Sequence, residues 1–347
     1  QKIDGKEVEV EVGYEVIGYE SYWFRVGEYD GRYDLVIDPE LVYSTYLGGD
    51  RGEYVADVAI DEAGYVYVTG KAVMFATSGV EEFPLTPGSY DTSYNGGTWD
   101  VFVTKLNRDG SQIIYSTLVG GNHIDEPTSI ALDSDNNVVI SGKTISEDFP
   151  KTELSYSDKE WLRGFVIKLN IEGNQLVFSS LFSGSCDDMA IGNNGDFYIT
   201  GQPSRYFTTT PGAYDEKQGN QNVSSYVRRL SNDGTNLRFS TLIESCSSSC
   251  IICDDEGNAY IGGQTWYYEF PTTPSAYDTS YCLGLDGTYK SDGFIAQLSA
   301  DGRKLLYASF WGGTGADTVT SIQIDTYGYV IFCGTTESTD LPVTENA

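Results

Sequence analysis

Few residues of this chain carry reactive chemistry. Cys246, Cys250 and Cys253 stand at the spacing of an iron–sulfur-binding motif. The stretch around them alternates as a strand does, and residues three apart on a strand point to opposite faces. Cys250 and Cys253 are therefore not expected to converge on one cluster. The single histidine, His123, follows Gly120-Gly121-Asn122. With no second histidine to share the work, a solvated loop is its expected place rather than a triad. Two oxygen-rich runs, Asp133-Ser134-Asp135-Asn136-Asn137 and Asp254-Asp255-Glu256-Gly257-Asn258, resemble pieces of calcium loops. They make Asp133, Asp135, Asp254 and Asp255 the candidate metal ligands. Both runs lack the spaced terminal Glu of an EF-hand loop. Both stand where a hairpin turn belongs, so turn chemistry is the expected role.

A glycosidase pair cannot be picked from 51 acids by sequence. Trp161, Trp266, Tyr267, Tyr268 and Trp311 suit either a sugar platform or packing between sheets. Asn222-Val223-Ser224 is a lone glycosylation sequon. No catalytic residue, binding residue or cofactor is assigned, calcium being the one cofactor left open.

The bulk numbers exclude some partners. Lys+Arg is 21 and Asp+Glu 51, a net charge of −30 across 347 residues. Such a chain repels phosphate backbones and anionic membrane surfaces, so nucleic acid is not an expected partner. No run is long and apolar enough to insert in a membrane, and Gln1-Lys2-Ile3-Asp4-Gly5 does not read as a signal peptide. The 27 Tyr and 39 Gly suit pleated surfaces joined by tight turns.

The elements that must position these residues come from a unit recurring about every 60 to 70 residues. Its first copy has strands at Val58–Asp61, Val66–Gly70, Val101–Asn107 and Ile113–Gly121, here a, b, c and d. Asp61-Glu62-Ala63-Gly64 and Arg108-Asp109-Gly110 are hairpin signals. The long b–c connection carries Phe83-Pro84-Leu85-Thr86-Pro87-Gly88-Ser89-Tyr90-Asp91. Further copies give blades at about 55–121, 128–184, 187–243 and 250–313, with a half copy over 319–347.

A four-stranded sheet with two apolar faces buries both by stacking around an axis, which predicts an all-β fold, a β-propeller of four-stranded antiparallel blades. Leu41–Leu47 reads as a d strand and Asp34–Ile37 as a c strand, so residues 34–49 are expected to complete 319–347 as a fifth blade. Residues 1–37 then form an N-terminal β segment, a cap or a strand donor, and 38–347 the propeller. The strands expected at Val8–Ile17 and Tyr22–Val26 are spare and suited to strand addition.

Three motifs recurring in fixed order, the Phe-Pro-x-Thr-Pro-Gly-x-Tyr box, Phe-Val-x-Lys-Leu-Asn and Tyr-Ser-Thr-Tyr-Leu-Gly-Gly, resemble the SBBP β-propeller repeat over residues 38–347. Residues 1–39 resemble the end of the β-rich domain that commonly precedes it. The resemblance implies a secreted or cell-surface protein of bacteria or archaea and supplies no catalytic residues. The family name implies seven blades where five are counted. In an oxidising compartment an even number of cysteines favours disulfides. Cys186, Cys246, Cys250, Cys282 and Cys333 fall toward one face of the blades, with Cys282–Cys333 and Cys186 with Cys246 or Cys250 the expected pairs. The function expected is that of a non-enzymatic extracellular binding or assembly module. Its partner is a protein or glycan at the cell surface, or copies of itself. The alternatives are a filament or surface-layer subunit joined by its N-terminal strands, and an enzyme acting on polysaccharide.

Overall fold

The computed structural model describes residues 2–3, 6–7, 10, 12–17, 21–26, 43–73, 83–158, 163–217, 223–282, 288–341 and 343. The chain divides into two units, Gln1–Ser44 and Thr45–Ala347. In the first, β1 (Lys2–Ile3) pairs with β2 (Lys6–Glu7), and β3 (Val12–Ile17) with β4 (Ser21–Val26), both antiparallel.

The second unit is a succession of antiparallel meanders. The first blade is β5 (Glu53–Ile60), β6 (Val66–Ala72), β7 (Asp100–Leu106) and β8 (Ile113–Val119). The second is β9 (Asp125–Leu132), β10 (Val138–Thr144), β11 (Arg163–Leu169) and β12 (Leu176–Ser183). The third is β13 (Asp188–Ile191), β14 (Phe197–Gly201), β15 (Ser224–Leu230) and β16 (Leu237–Glu244). The fourth is β17 (Ser247–Cys253), β18 (Ala259–Thr265), β19 (Asp292–Leu298) and β20 (Leu305–Trp311). A fifth sheet has two strands, β21 (Asp317–Ile324) and β22 (Val330–Thr336). There is no helix among the described residues, and so none long and apolar enough to cross a membrane.

The strands form where Val, Ile, Tyr and Phe alternate, and they end at turns of one chemistry. At the a–b turn Asp61, Asp133, Asp254 and Asp325 accept the backbone amide four residues on at 2.8–2.9 Å. Gly64, Asn136, Gly195, Gly257 and Gly328 take the left-handed conformation there, φ 59–85°.

Apolar layers lie between successive blades. Tyr67, Val101 and Val103 of the first meet Ile130, Val138 and Ile140 of the second. Val139 and Val166 meet Met189 and Phe197 across the next join, and Tyr198 and Val227 meet Ile251 and Ile261 across the one after.

The recurrent b–c box has a definite structural job. It runs along the outer strand of its own blade: in the first blade Thr86 N donates to Ser116 O at 3.0 Å and Leu118 N to Asp91 O at 2.9 Å. The third and fourth blades repeat this at Thr210–Ser240 and Leu242–Asp215, and at Thr273–Ala308 and Phe310–Asp278. The box thereby covers an edge that would otherwise be open to pairing. Its tyrosine then reaches the next blade, where Tyr90, Tyr156 and Tyr214 donate their amides to the carbonyls of Gly173, Gly234 and Gly302 at 2.7–2.9 Å.

The expected fifth blade is seen in part. Strands a and b are present as β21 and β22. The expected c strand at 34–37, the boundary at 37, and Leu41 and Val42 lie outside the described residues, and Tyr43–Gly49 forms no strand. Of the two spare strands expected, Val8–Ile17 is described as a strand over Val12–Ile17 and Tyr22–Val26 lies within Ser21–Val26; the two pair with each other, which the sequence reading did not include.

Candidate functional site

Two of the cavities among the described residues bear on function. The first is a channel of 450 Å³ on which the innermost strands of all five sheets converge, through Asp57, Ser129, Asp188, Ser249 and Ser321 among others. Its polar side chains stitch neighbouring blades together. Asp57 Oδ2 accepts the Ile130 amide of the next blade at 2.9 Å, and Asp188 Oδ2 that of Ile251 at 2.8 Å. Ser249 Oγ donates to Val319 O at 2.6 Å. Burial pushes the Asp188 carboxyl up to about 6 against these hydrogen bonds, with the Asp57 charge adding to the rise.

The second cavity, of 460 Å³, lies where the d–a and b–c loops of the second and third blades meet. That size suits a small ligand or a side chain of a larger one. Ile124, Ile145 and Pro203 give it apolar wall, and Glu126, Lys143, Asp187 and Gln202 give it polar groups. Lys143 Nζ stands 3.2 Å from Glu126 Oε2, and Lys71 pairs with the other oxygen. Burial works against the Glu126 charge, but the two lysines win and hold its carboxyl below the usual range. Lys71 also lies over the Trp99 ring at 4.8 Å. Across the cavity Ser185 Oγ donates to Asp187 at 3.0 Å, and Gln202 Nε2 donates to Ser247 Oγ at 3.1 Å. None of these residues was singled out in the sequence. The readable signal was an acid inside an apolar strand, as at Val55-Ala56-Asp57-Val58 and Asp187-Asp188-Met189-Ala190.

The calcium candidates sit in turns. Asp133 accepts Asn137 N and Nδ2 and pairs with Lys168 Nζ at 3.0 Å. Asp135 is exposed and gives its amide to Asp133. Asp254 accepts Asn258 N and Nδ2 at 2.8 Å, and Asp255 accepts Asn193 Nδ2 at 2.7 Å. His123 is in an exposed loop, its amide bonded to Ser146 Oγ. Trp311 packs against Tyr277 and Phe332, while Trp266 and Tyr268 are exposed. Trp161 and Asn222 lie outside the described residues.

The expected disulfides are not seen: the six cysteines form no S–S bond in this structure. Cys186 is in the apolar layer between the second and third blades, Cys246 between the third and fourth, and Cys250 between the fourth and fifth. Whole sheets separate the expected partners of Cys186, and Cys282 and Cys333 are not joined either. Burial pushes the Cys246 and Cys250 thiols up to about 12, away from thiolate chemistry. Cys250 and Cys253 do point to opposite faces of β17, toward the fifth and third blades.

A family model for the SBBP beta-propeller repeat matches residues 42–72 and 114–150. No curated protein matches the chain. Among solved structures, a Bacteroides caccae protein of unknown function aligns over 75% of this chain and 82% of its own, at 13% identity and a TM-score of 0.32. A Synechocystis apocarotenoid oxygenase mutant aligns over 82% and 54%, at 7% identity and a TM-score of 0.38. A gluconolactonase of Xanthomonas campestris aligns over 86% and 96%, at 12% identity and a TM-score of 0.27. Likeness at this level transfers no activity to this chain.

Proposed function

We propose a non-enzymatic, extracellular binding module that meets a protein or glycan with the loop face of its blades, on a scaffold of which residues 42–72 and 114–150 match the SBBP β-propeller repeat. The observation that carries this reading is the 460 Å³ loop-face cavity between the second and third blades. It joins apolar wall to a small set of hydrogen-bonding and charged groups, the composition of a recognition site. Lys143 is a half-exposed cation there, its side chain 45% accessible, in a protein of net charge −30. A partner offering hydroxyls or a carboxylate beside an apolar face suits Lys143, Gln202 and Ile145 together. The buried thiols and the hydrogen-bonded channel acids support a binding role over a reaction.

The test is a binding screen of the full chain against glycan and peptide arrays, repeated with Lys143→Glu. Truncating a hot-spot contact costs about 2 kcal/mol or more, about thirtyfold in affinity. A loss of at least tenfold is expected. A ligand bound equally well by the variant would place recognition elsewhere.

A further inference from the structure

The joins between blades are built alike but not filled alike. At the first–second join Asp100 opens β7, Asp125 opens β9, and the Asp125 amide donates to Trp99 O at 2.9 Å. At the fourth–fifth join Asp292 opens β19, Asp317 opens β21, and the Asp317 amide donates to Ser291 O at 2.7 Å. The third–fourth join makes the same backbone bond, Cys246 N to Val223 O at 3.1 Å. There Ser224 and Cys246 take the places of the two acids. The fold thus makes this join with neutral residues, and acids are not needed for it.

Where the acids occur, they are sealed in. Asp100 and Asp125 are 0% exposed, Asp292 1% and Asp317 3%. Asp100, Asp292 and Asp317 have donors on one oxygen only, and Asp125 on both. Asp100 Oδ2 accepts Asn95 N at 2.9 Å, and Asp292 Oδ2 accepts Cys282 N at 2.9 Å. Asp125 Oδ2 accepts Gly121 N at 2.7 Å and Ser146 Oγ at 3.0 Å, and Thr144 donates to its Oδ1. Asp317 Oδ2 accepts Gly313 N at 2.8 Å and Ser338 Oγ at 2.7 Å. Three oxygens, Asp100 Oδ1, Asp292 Oδ1 and Asp317 Oδ1, are buried and accept nothing. An unsatisfied carboxylate oxygen beside a second acid is costly. Burial, with the neighbouring acids adding, pushes the Asp100 and Asp292 carboxyls up to about 7.

A glycine leaves room beside each pair. A Cβ on Gly120 would collide with Asp100 Oδ1 and lie 3.0 Å from Asp125 Oδ2. A Cβ on Gly312 would lie 3.0 Å from Asp292 Oδ1 and 2.8 Å from Asp317 Oδ2. Neither glycine has a left-handed φ, so space rather than backbone conformation excludes a side chain. At the third–fourth join Glu244 pairs with Ser224 at this register position. At the second–third join Gly164 faces Phe182, which puts Ser183 at this position and Arg163 opposite it. The glycine and the acid opposite it occur together at two joins and are replaced together at the other two.

We propose that each acid pair with its glycine is a binding site for one hard divalent cation of the calcium class, two per chain. The donors are all oxygen, and two carboxylates neutralise the ion's charge. Asp148 and Asp340 stand next to the pairs, against Gly121 and Gly313. No three acidic, histidine or cysteine side chains close on one point among the described residues. The rest of the coordination falls to carbonyl oxygens and water, which calcium accepts readily. The cation would pin one blade to the next at the loop face.

The experiment is a calcium titration of the full chain, stripped with EDTA, by calorimetry. It is paralleled by terbium luminescence, which Trp99 and Trp311 are placed to sensitise. The expected result is two ions per chain, with Kd of about 10⁻³ M or tighter, the range of extracellular calcium modules. Asp100→Asn is expected to lose one ion and Asp292→Asn the other, while Asp133→Asn keeps both. If an Asn variant does not fold, Asp292→Ser with Asp317→Cys copies the natural third–fourth join and serves in its place. No stoichiometric binding by the wild type, or the same stoichiometry in all variants, would overturn the proposal and leave each pair holding a proton.

Discussion

Asp188 shows how one side chain both joins blades and sets a pH response. Its folded carboxyl lies at about 6, above the ordinary 3.8, because it is buried in the channel wall. Between about pH 4 and 6 the folded chain therefore keeps a proton that the unfolded chain has lost. This group's contribution is most favourable below that window and falls as pH rises through it. Asp188→Asn retains an acceptor for the Ile251 amide and removes the charge. Urea unfolding is expected to show the variant gaining on wild type by up to about 3 kcal/mol between pH 4 and pH 7. An equal difference at both pH values would contradict the assignment. Little of this was legible in sequence. The acid pairs were hidden for the same reason: Asp100 and Asp125, or Asp292 and Asp317, are brought together by the packing of adjacent blades, not by a local motif. Which cysteines could pair is also a matter of distance. Placing five thiols toward one face says nothing about how far apart they lie around the array.

The strands themselves were legible, because alternation and Asp-Gly turns are local signals. The four meanders, their order and their turns agree with the reading. The box was visible only as a recurrence, since its bonds run to an outer strand some 25–35 residues away. Its coupling to the next blade depends on the c–d turn glycine. Gly234 has φ +71°, its carbonyl takes the Tyr156 amide at 2.7 Å, and a Cβ there would stand 2.5 Å from Phe178. Gly88, inside the first box, has φ +87° and nothing within 4 Å. Alanine at Gly88 is expected to cost about 1 kcal/mol, for backbone conformation alone. Alanine at Gly234 adds about 1–3 kcal/mol for displacing Phe178. Chemical denaturation of the two variants checks the order, and equal costs would show that the turn does not couple the blades.

At the scale of the second unit, five sheets place their inner strands around one channel and their b–c and d–a loops at one end. The first four carry their own edge cover, while the fifth has β21 and β22 alone among the described residues. Repetition lets neighbouring joins diverge without loss of the fold, as the acid and neutral joins show. The loop-face cavity at the second–third join is such a divergence, and the binding role rests on it. The most direct test is to incubate the full chain with whatever glycan or peptide the arrays identify, then measure both retained ligand and released product by mass spectrometry. The account expects stoichiometric, reversible retention of unchanged ligand, weakened by Lys143→Glu. Catalytic turnover of the ligand would contradict it.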